Sequence, residues 1–256
     1  MTEVDFHKEK KMTRIFIALL LAILCLCFGV NAQSVARDND KLRVLVVTGG
    51  GNYETTFYEL FNGYNDLAWT EVRSDSAAFE TDIRDKYDVV VMFNRNDSLA
   101  EAAQSNLRLF VESGKGIVVL HHALGNYNSW QWWWREVVGG RYLMKADGNQ
   151  ARSVYHQNEE IIAQVVAPHP ITASLGARSF ILSDETYKGM QISPDVKILL
   201  GTGNMNSDEV LAWVSPYKKS KVVVIQPGHA RGAHLNLAYR MLVRNAILWT
   251  SGRLKE

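Results

Sequence analysis

The chain has 256 residues, 47% of them apolar, enough for one globular domain with a full core. Its 28 basic and 27 acidic residues give a formal charge of +1, and no basic cluster of five or more occurs, so a nucleic-acid partner is not expected. Both cysteines, Cys25 and Cys27, lie in an N-terminal apolar run, which excludes a disulfide framework and a cysteine nucleophile from everything that follows.

That apolar run is the first element. Lys8, Lys10, Lys11 and Arg14 precede "IFIALLLAILCLCFGV", and the small residues Val30 and Ala32 close it, the pattern of a secretory signal peptide over residues 1–32. The expected location is therefore periplasmic or secreted, with membrane contact only through an uncleaved leader. Without the leader's four basic and three acidic residues, 24 of each sign remain, a balance that suits a neutral polar ligand such as a carbohydrate.

Residues 41–252 form the expected domain. "KLRVLVVTGGGNYETT" opens with a β-branched run and breaks into glycines, which predicts a buried strand, a glycine loop and a helix from about Glu54. "YDVVVMFN" and "KGIVVLHH" are two more continuous apolar runs, read as central parallel strands. Between them Leu99, Ala103, Leu107 and Phe110 recur at helical spacing, with Gly114 as the stop. Strand, helix, strand in alternation predicts a doubly wound, mostly parallel α/β sheet whose ligands bind beyond the carboxyl ends of the strands. The second half, with "EIIAQVVA", "VKILLG", "EVLAWV" and "KVVVIQPGH", predicts mixed or antiparallel strands that extend the sheet. A last helix from Leu235 to Trp249, with Tyr239, Leu242 and Ala246 on its apolar face, closes the fold.

Chemistry-bearing residues fall on the strand ends. Gly50, Gly51 and Asn52 could meet a ligand, but the loop lacks both the GxGxxG and the GxxxxGK[ST] spacing, so no nucleotide is expected. His121 and His122 follow the third strand, and alternation sends one toward the core and the other toward the crevice. "QPGHARGAH" brings His229 to the same end. "LSDETYKG" sets Asp184 and Glu185 beside Tyr187, as acid–base pair, metal ligands, hydroxyl acceptors or a solvated turn. No local metal motif occurs, so a divalent cation would have to assemble from distant loops, with His122, His156 and His229 as candidates. "WQWWWREVVGGRY" offers aromatic faces that fill a core or stack on a sugar, and Trp132 is the candidate platform.

The ordered set "VLVVTGGGNYE", "GIVVLHHALGNY", "WWWREVVGGRY", "HPIT", "FILSDETYKG", "VLAWV" and "KVVVIQPGHARGA" resembles the ThuA-like family, named for trehalose utilisation, over about Lys41 to Gly252. The resemblance implies a flavodoxin-like fold of the class I glutamine amidotransferase-like superfamily. It carries motif positions onto His121 or His122, Tyr142 in "GGRY", Asp184, Glu185 and Tyr187, and Gly228 and His229. In amidotransferases of that fold a cysteine occupies the elbow after this strand; here the elbow reads "VLHHALG", so glutamine hydrolysis by a thiol is excluded. Two functions follow as expectations. One is an exported enzyme that hydrolyses, eliminates from or isomerises a disaccharide or keto-glycoside, with His122, Asp184, Glu185 and His229 catalytic. The other is a carbohydrate-binding protein that kept the fold without turnover.

Overall fold

The structure is a computed structural model that describes residues 40–51 and 53–255; the leader expected at residues 1–32, and Asn52, lie outside them. In chain order the strands are β1 (Leu42–Val47), β2 (Leu67–Val72), β3 (Val89–Met92), β4 (Gly116–Leu120), β5 (Gly140–Arg141), β6 (Val154–Val165), β7 (Ser179–Lys188), β8 (Gln191–Ile192), β9 (Lys197–Gly201), β10 (Val210–Val214) and β11 (Val222–Ile225). The main sheet runs β2-β1-β3-β4-β11-β10-β9-β6-β7, and β5 pairs with β8 separately. Its first five members are parallel, in flavodoxin-like order. The other four are antiparallel, the extension expected of the second half.

Burial explains why the central strands are nearly uniform in composition. Alternate residues of β1, β4 and β11 enter two separate cores: Val44, Val118 and Val223 pack on one face of the sheet, and Leu45, Val119 and Val224 on the other. The first face is covered by a 3₁₀ turn at Thr55–Leu60 and by the last helix, the second by the helix Glu101–Glu112. With α1 at Asp75–Ala78, that helix is α2; α3 is Pro170–Ala173, α4 Arg231–His234 and α5 Leu237–Thr250. A side chain at Gly116 would place its Cβ 2.8 Å from Thr250, so this position must stay small for α5 to lie against β4.

Three features depart from the sequence pattern. β2 has no continuous apolar run because it is the edge strand and buries only Leu67. The last helix does not begin at Leu235, which is exposed at the end of α4; Asn236 ends that turn and its side chain accepts the Tyr239 N–H at 3.1 Å to start α5. Trp132, Trp133 and Trp134 sit in a π-helical turn, Trp132–Val138, and all three are buried, so Trp132, the candidate platform, fills the core instead. Neighbours cover the cluster: Trp130 packs at 4.9 Å on Trp132, and the Arg108 guanidinium lies 4.1 Å over the Trp132 ring.

Asn236 also donates to the Ile181 carbonyl of β7 at 2.9 Å. Asn236→Ala is expected to cost about 1–2 kcal/mol, read as a lower midpoint in urea denaturation with an unchanged slope.

Candidate active site

The site begins where β4 ends. His121 is the first residue past the strand, wholly buried, with φ at +37°, a left-handed conformation that a residue with a β-carbon seldom adopts. Its Nδ1 lies 2.7 Å from the Gln226 carbonyl, across the β4–β11 pairing. A carbonyl only accepts, so Nδ1 carries a proton and Nε2 is the nitrogen offered to the groups of the crevice. Three groups converge on that nitrogen: the Tyr187 hydroxyl at 2.9 Å, His229 Nδ1 at 3.2 Å and Glu185 Oε1 at 3.3 Å. The Tyr187 ring also stacks on the imidazole at 4.5 Å, and Tyr142 packs edge-on against Tyr187 at 4.6 Å.

Strand alternation on β7 separates the two neighbouring acids. Glu185 and Tyr187 face the crevice, and Asp184 points to the opposite side. The Asp184 carboxylate accepts the backbone N–H groups of Gly228, His229 and Ala230, the latter two at 3.1 Å. The sequence reading offered Asp184 as an acid or base; the structure uses its lone pairs to hold the loop that carries His229. Gly228 has φ at +132°, and a Cβ there would sit 2.1 Å from the Tyr239 hydroxyl. Tyr239 donates to the Pro227 carbonyl at 2.8 Å, and His234 Nε2 lies 2.9 Å from the Gly228 carbonyl, so every side of the loop is pinned.

Glu185, Tyr187, His229 and Tyr142 line a pocket of about 300 Å³, at the small end of ligand sites. His122 forms part of its wall, and its Nδ1 is buried without a hydrogen-bond partner. Burial first, and then the neighbouring His121 and His229, push His122 down to about 2, so this imidazole stays neutral. A base so weak takes up protons poorly, which argues against the proton-carrier role expected of it and for a lone-pair role. Burial raises Glu185, but the hydrogen bond and charge of His121, the charge of His229 and the Gln157 amide outweigh it, so the carboxyl lies below its ordinary range and is ionised. Burial, reinforced by Glu185, pushes the Tyr187 phenol well up and keeps it protonated.

His121, His122 and His229 each present a nitrogen, all within 4.8 Å of one another, a spacing close to that of a three-histidine metal site. His156, the remaining histidine of the expected ligand set, is not among them: on β6 its neighbours Tyr155 and Gln157 line the pocket and His156 does not. Gly50 and Gly51 do not line it either. Gly50, at φ +78°, lets the chain pass the Arg95 carbonyl, which a Cβ would approach to 1.9 Å. Trp132 lies in the core away from the pocket. Sequence reading passed over Arg95, Arg152, Tyr155 and Gln157. Arg95 follows β3 by three residues and was open to the same strand-end rule that found the histidines; the other three carry no motif.

Residues 43–250 match the family model described as ThuA, trehalose utilisation. The chain belongs to the ThuA family. Among solved structures, a ThuA-like protein from Parabacteroides merdae superposes with a TM-score of 0.72 at 16% identity, covering 84% of this chain and 92% of that one. A ThuA-like protein from Bacteroides uniformis gives 0.63 at 19%, covering 84% and 93%. PurLQS from Thermotoga maritima gives 0.53 at 15%, covering 81% and 98%, which extends the likeness of fold to amidotransferase-like proteins. No curated protein matches the sequence.

Two outcomes test this geometry. Asp184→Asn would turn an amide N–H₂ toward backbone donors and lose about 2–3 kcal/mol, measured by urea denaturation. In chelator-treated protein the His122 ring should show no ¹⁵N titration between pH 5 and 8. Its folded pKa lies below the unfolded value of about 6.5, so the unfolded chain binds the extra proton and His122's contribution to stability falls as pH drops below that value.

Proposed function

We propose that this ThuA protein is an exported enzyme of carbohydrate utilisation that acts on a disaccharide or keto-glycoside by proton transfer beside a carbonyl. The observation that carries this reading is the convergence of three pocket-lining groups, Glu185, His229 and Tyr187, on the buried His121 Nε2. A carbonyl on the sugar ring makes the adjoining C–H acidic, so a positioned base suffices without a covalent nucleophile. Glu185, ionised and inside the pocket, is the base that takes this proton. Tyr187, protonated and held at His121, is a donor to oxygen, and His229 lies beside Glu185 Oε1 at 3.7 Å to carry the proton onward.

The residues also fit a divalent cation. His121, His122 and His229 supply three nitrogens, and the orphaned Nδ1 of His122 is a buried lone pair that such an ion would satisfy. When bound, the ion would polarise a carbonyl or hydroxyl oxygen of the sugar. The family's description supports the substrate class, and the signal-peptide pattern read in residues 1–32 supports work outside the cytoplasm.

Proton NMR time courses with disaccharides and their keto derivatives, run with and without chelator, test the reading. Turnover of one member is expected, with chelator slowing it. Glu185→Gln should lower kcat by about 10²–10⁴-fold while the sugar still broadens on binding. Binding without turnover in the wild-type protein would instead favour the carbohydrate-binding function.

A further inference from the structure

The pocket carries two cationic groups that the chemistry proposed above leaves unused. Arg95 and Arg152 both line it, and among the described residues neither pairs with a carboxylate. Among the described residues the Arg95 guanidinium makes one polar contact, a distant one, 4.0 Å to the Met144 sulfur. Glu185 is the acid in the lining, and it is engaged by His121 and His229. Both arginines act electrostatically on the Tyr142 phenol, and Arg95 acts also on Tyr187 and His122, so their charge falls inside the pocket.

Both are carried by fixed backbone. Arg95 N–H donates to the Gly49 carbonyl at 3.0 Å, and Gly50 is bare so that the Arg95 carbonyl can lie against it. Its neighbours Asn94 and Asn96 each donate to the buried carboxylate of Asp75, at 3.1 and 2.9 Å. Arg152 precedes Ser153, a buried residue whose hydroxyl accepts from Leu143 N–H and donates to the Gly189 carbonyl, both at 2.8 Å. Two unpaired guanidinium groups held in this way are a means of fixing an anion.

We infer that the pocket binds a sugar bearing a carboxylate, such as a uronic or aldonic acid, with Arg95 and Arg152 as the residues that select the acid. This rests on the pocket being the active site proposed above. A carboxylate is favoured over a phosphate because the loop best shaped to cradle a phosphate, the N–H groups of Gly228, His229 and Ala230, is already filled by Asp184. The guanidinium forks that remain pair with a carboxylate through two parallel N–H···O bonds. Clamped there, the acid would hold the sugar's reacting carbon against Glu185.

Calorimetric titration of the full chain with glucuronate, glucose and glucose 6-phosphate tests this. Glucuronate is expected to bind about 10-fold or more tighter than glucose, with a preference that shrinks as salt is raised. Arg95→Gln and Arg152→Gln should each cut the glucuronate-to-glucose affinity ratio by about 10-fold without lowering Tm, since both side chains are exposed. Equal affinity for glucose and glucuronate, binding of neither, or a preference for glucose 6-phosphate overturns the inference. Zinc titration of the same variants separates the two proposals. An acid preference without zinc binding or turnover would sink the catalytic reading alone; zinc binding and turnover of neutral keto sugars without acid preference would sink this one alone.

Discussion

One buried carboxylate holds the site together. Asp184 gathers three backbone N–H groups of the loop after β11, and in doing so fixes β7 to the carboxyl end of the parallel sheet. It ties the strand that carries Glu185 and Tyr187 directly to the loop that carries His229. The interaction is charge-assisted at every contact and almost wholly removed from water, which is where such bonds are strongest. Its neighbour in sequence faces the other way, so one strand spends one acid on architecture and presents the next to the ligand.

The second constraint is the tautomer of His121. The Gln226 carbonyl can only accept, so Nδ1 carries a proton and the other nitrogen is the one turned to the pocket groups. That single choice makes a buried histidine at a strained strand end the point on which Glu185, Tyr187 and His229 converge. The fold is shared with PurLQS from Thermotoga maritima.

Much of this was legible in the sequence, for reasons that can be named. β1, β3, β4 and β11 are buried on both faces and so read as unbroken apolar runs, and α2 shows its stripe because one face meets solvent. β2 was illegible because an edge strand buries little. Strand ends pointed to the region of His121, His122 and His229, but not to which histidine would be the hub, because that depends on the φ of one residue and on a carbonyl 105 positions away. The parity of β7, which parts Asp184 from Glu185, depends on a register with β6 that is shifted by an irregularity between His156 and Glu159. The tryptophans were ambiguous because an indole packs in a core as readily as on a sugar.

The ribbon of β6 and β7 meets the rest of the sheet through only two register pairs, Gln164 with Gly201 and Val165 with Leu200. Further along, its hold passes to side chains and loops: Asp184 on the β11 loop, Thr186 on the Asn206 carbonyl at 2.6 Å, and the Tyr187 carbonyl on Asp208 N–H at 2.8 Å. Where Glu185 and Tyr187 stand, β7 is therefore laddered to β6 alone and not to the central sheet. Such a segment opens at a lower free energy than the core it leans on. Amide exchange along β7 would then run ahead of β4 and β11, and warming would disassemble the pocket while the doubly wound sheet remained folded.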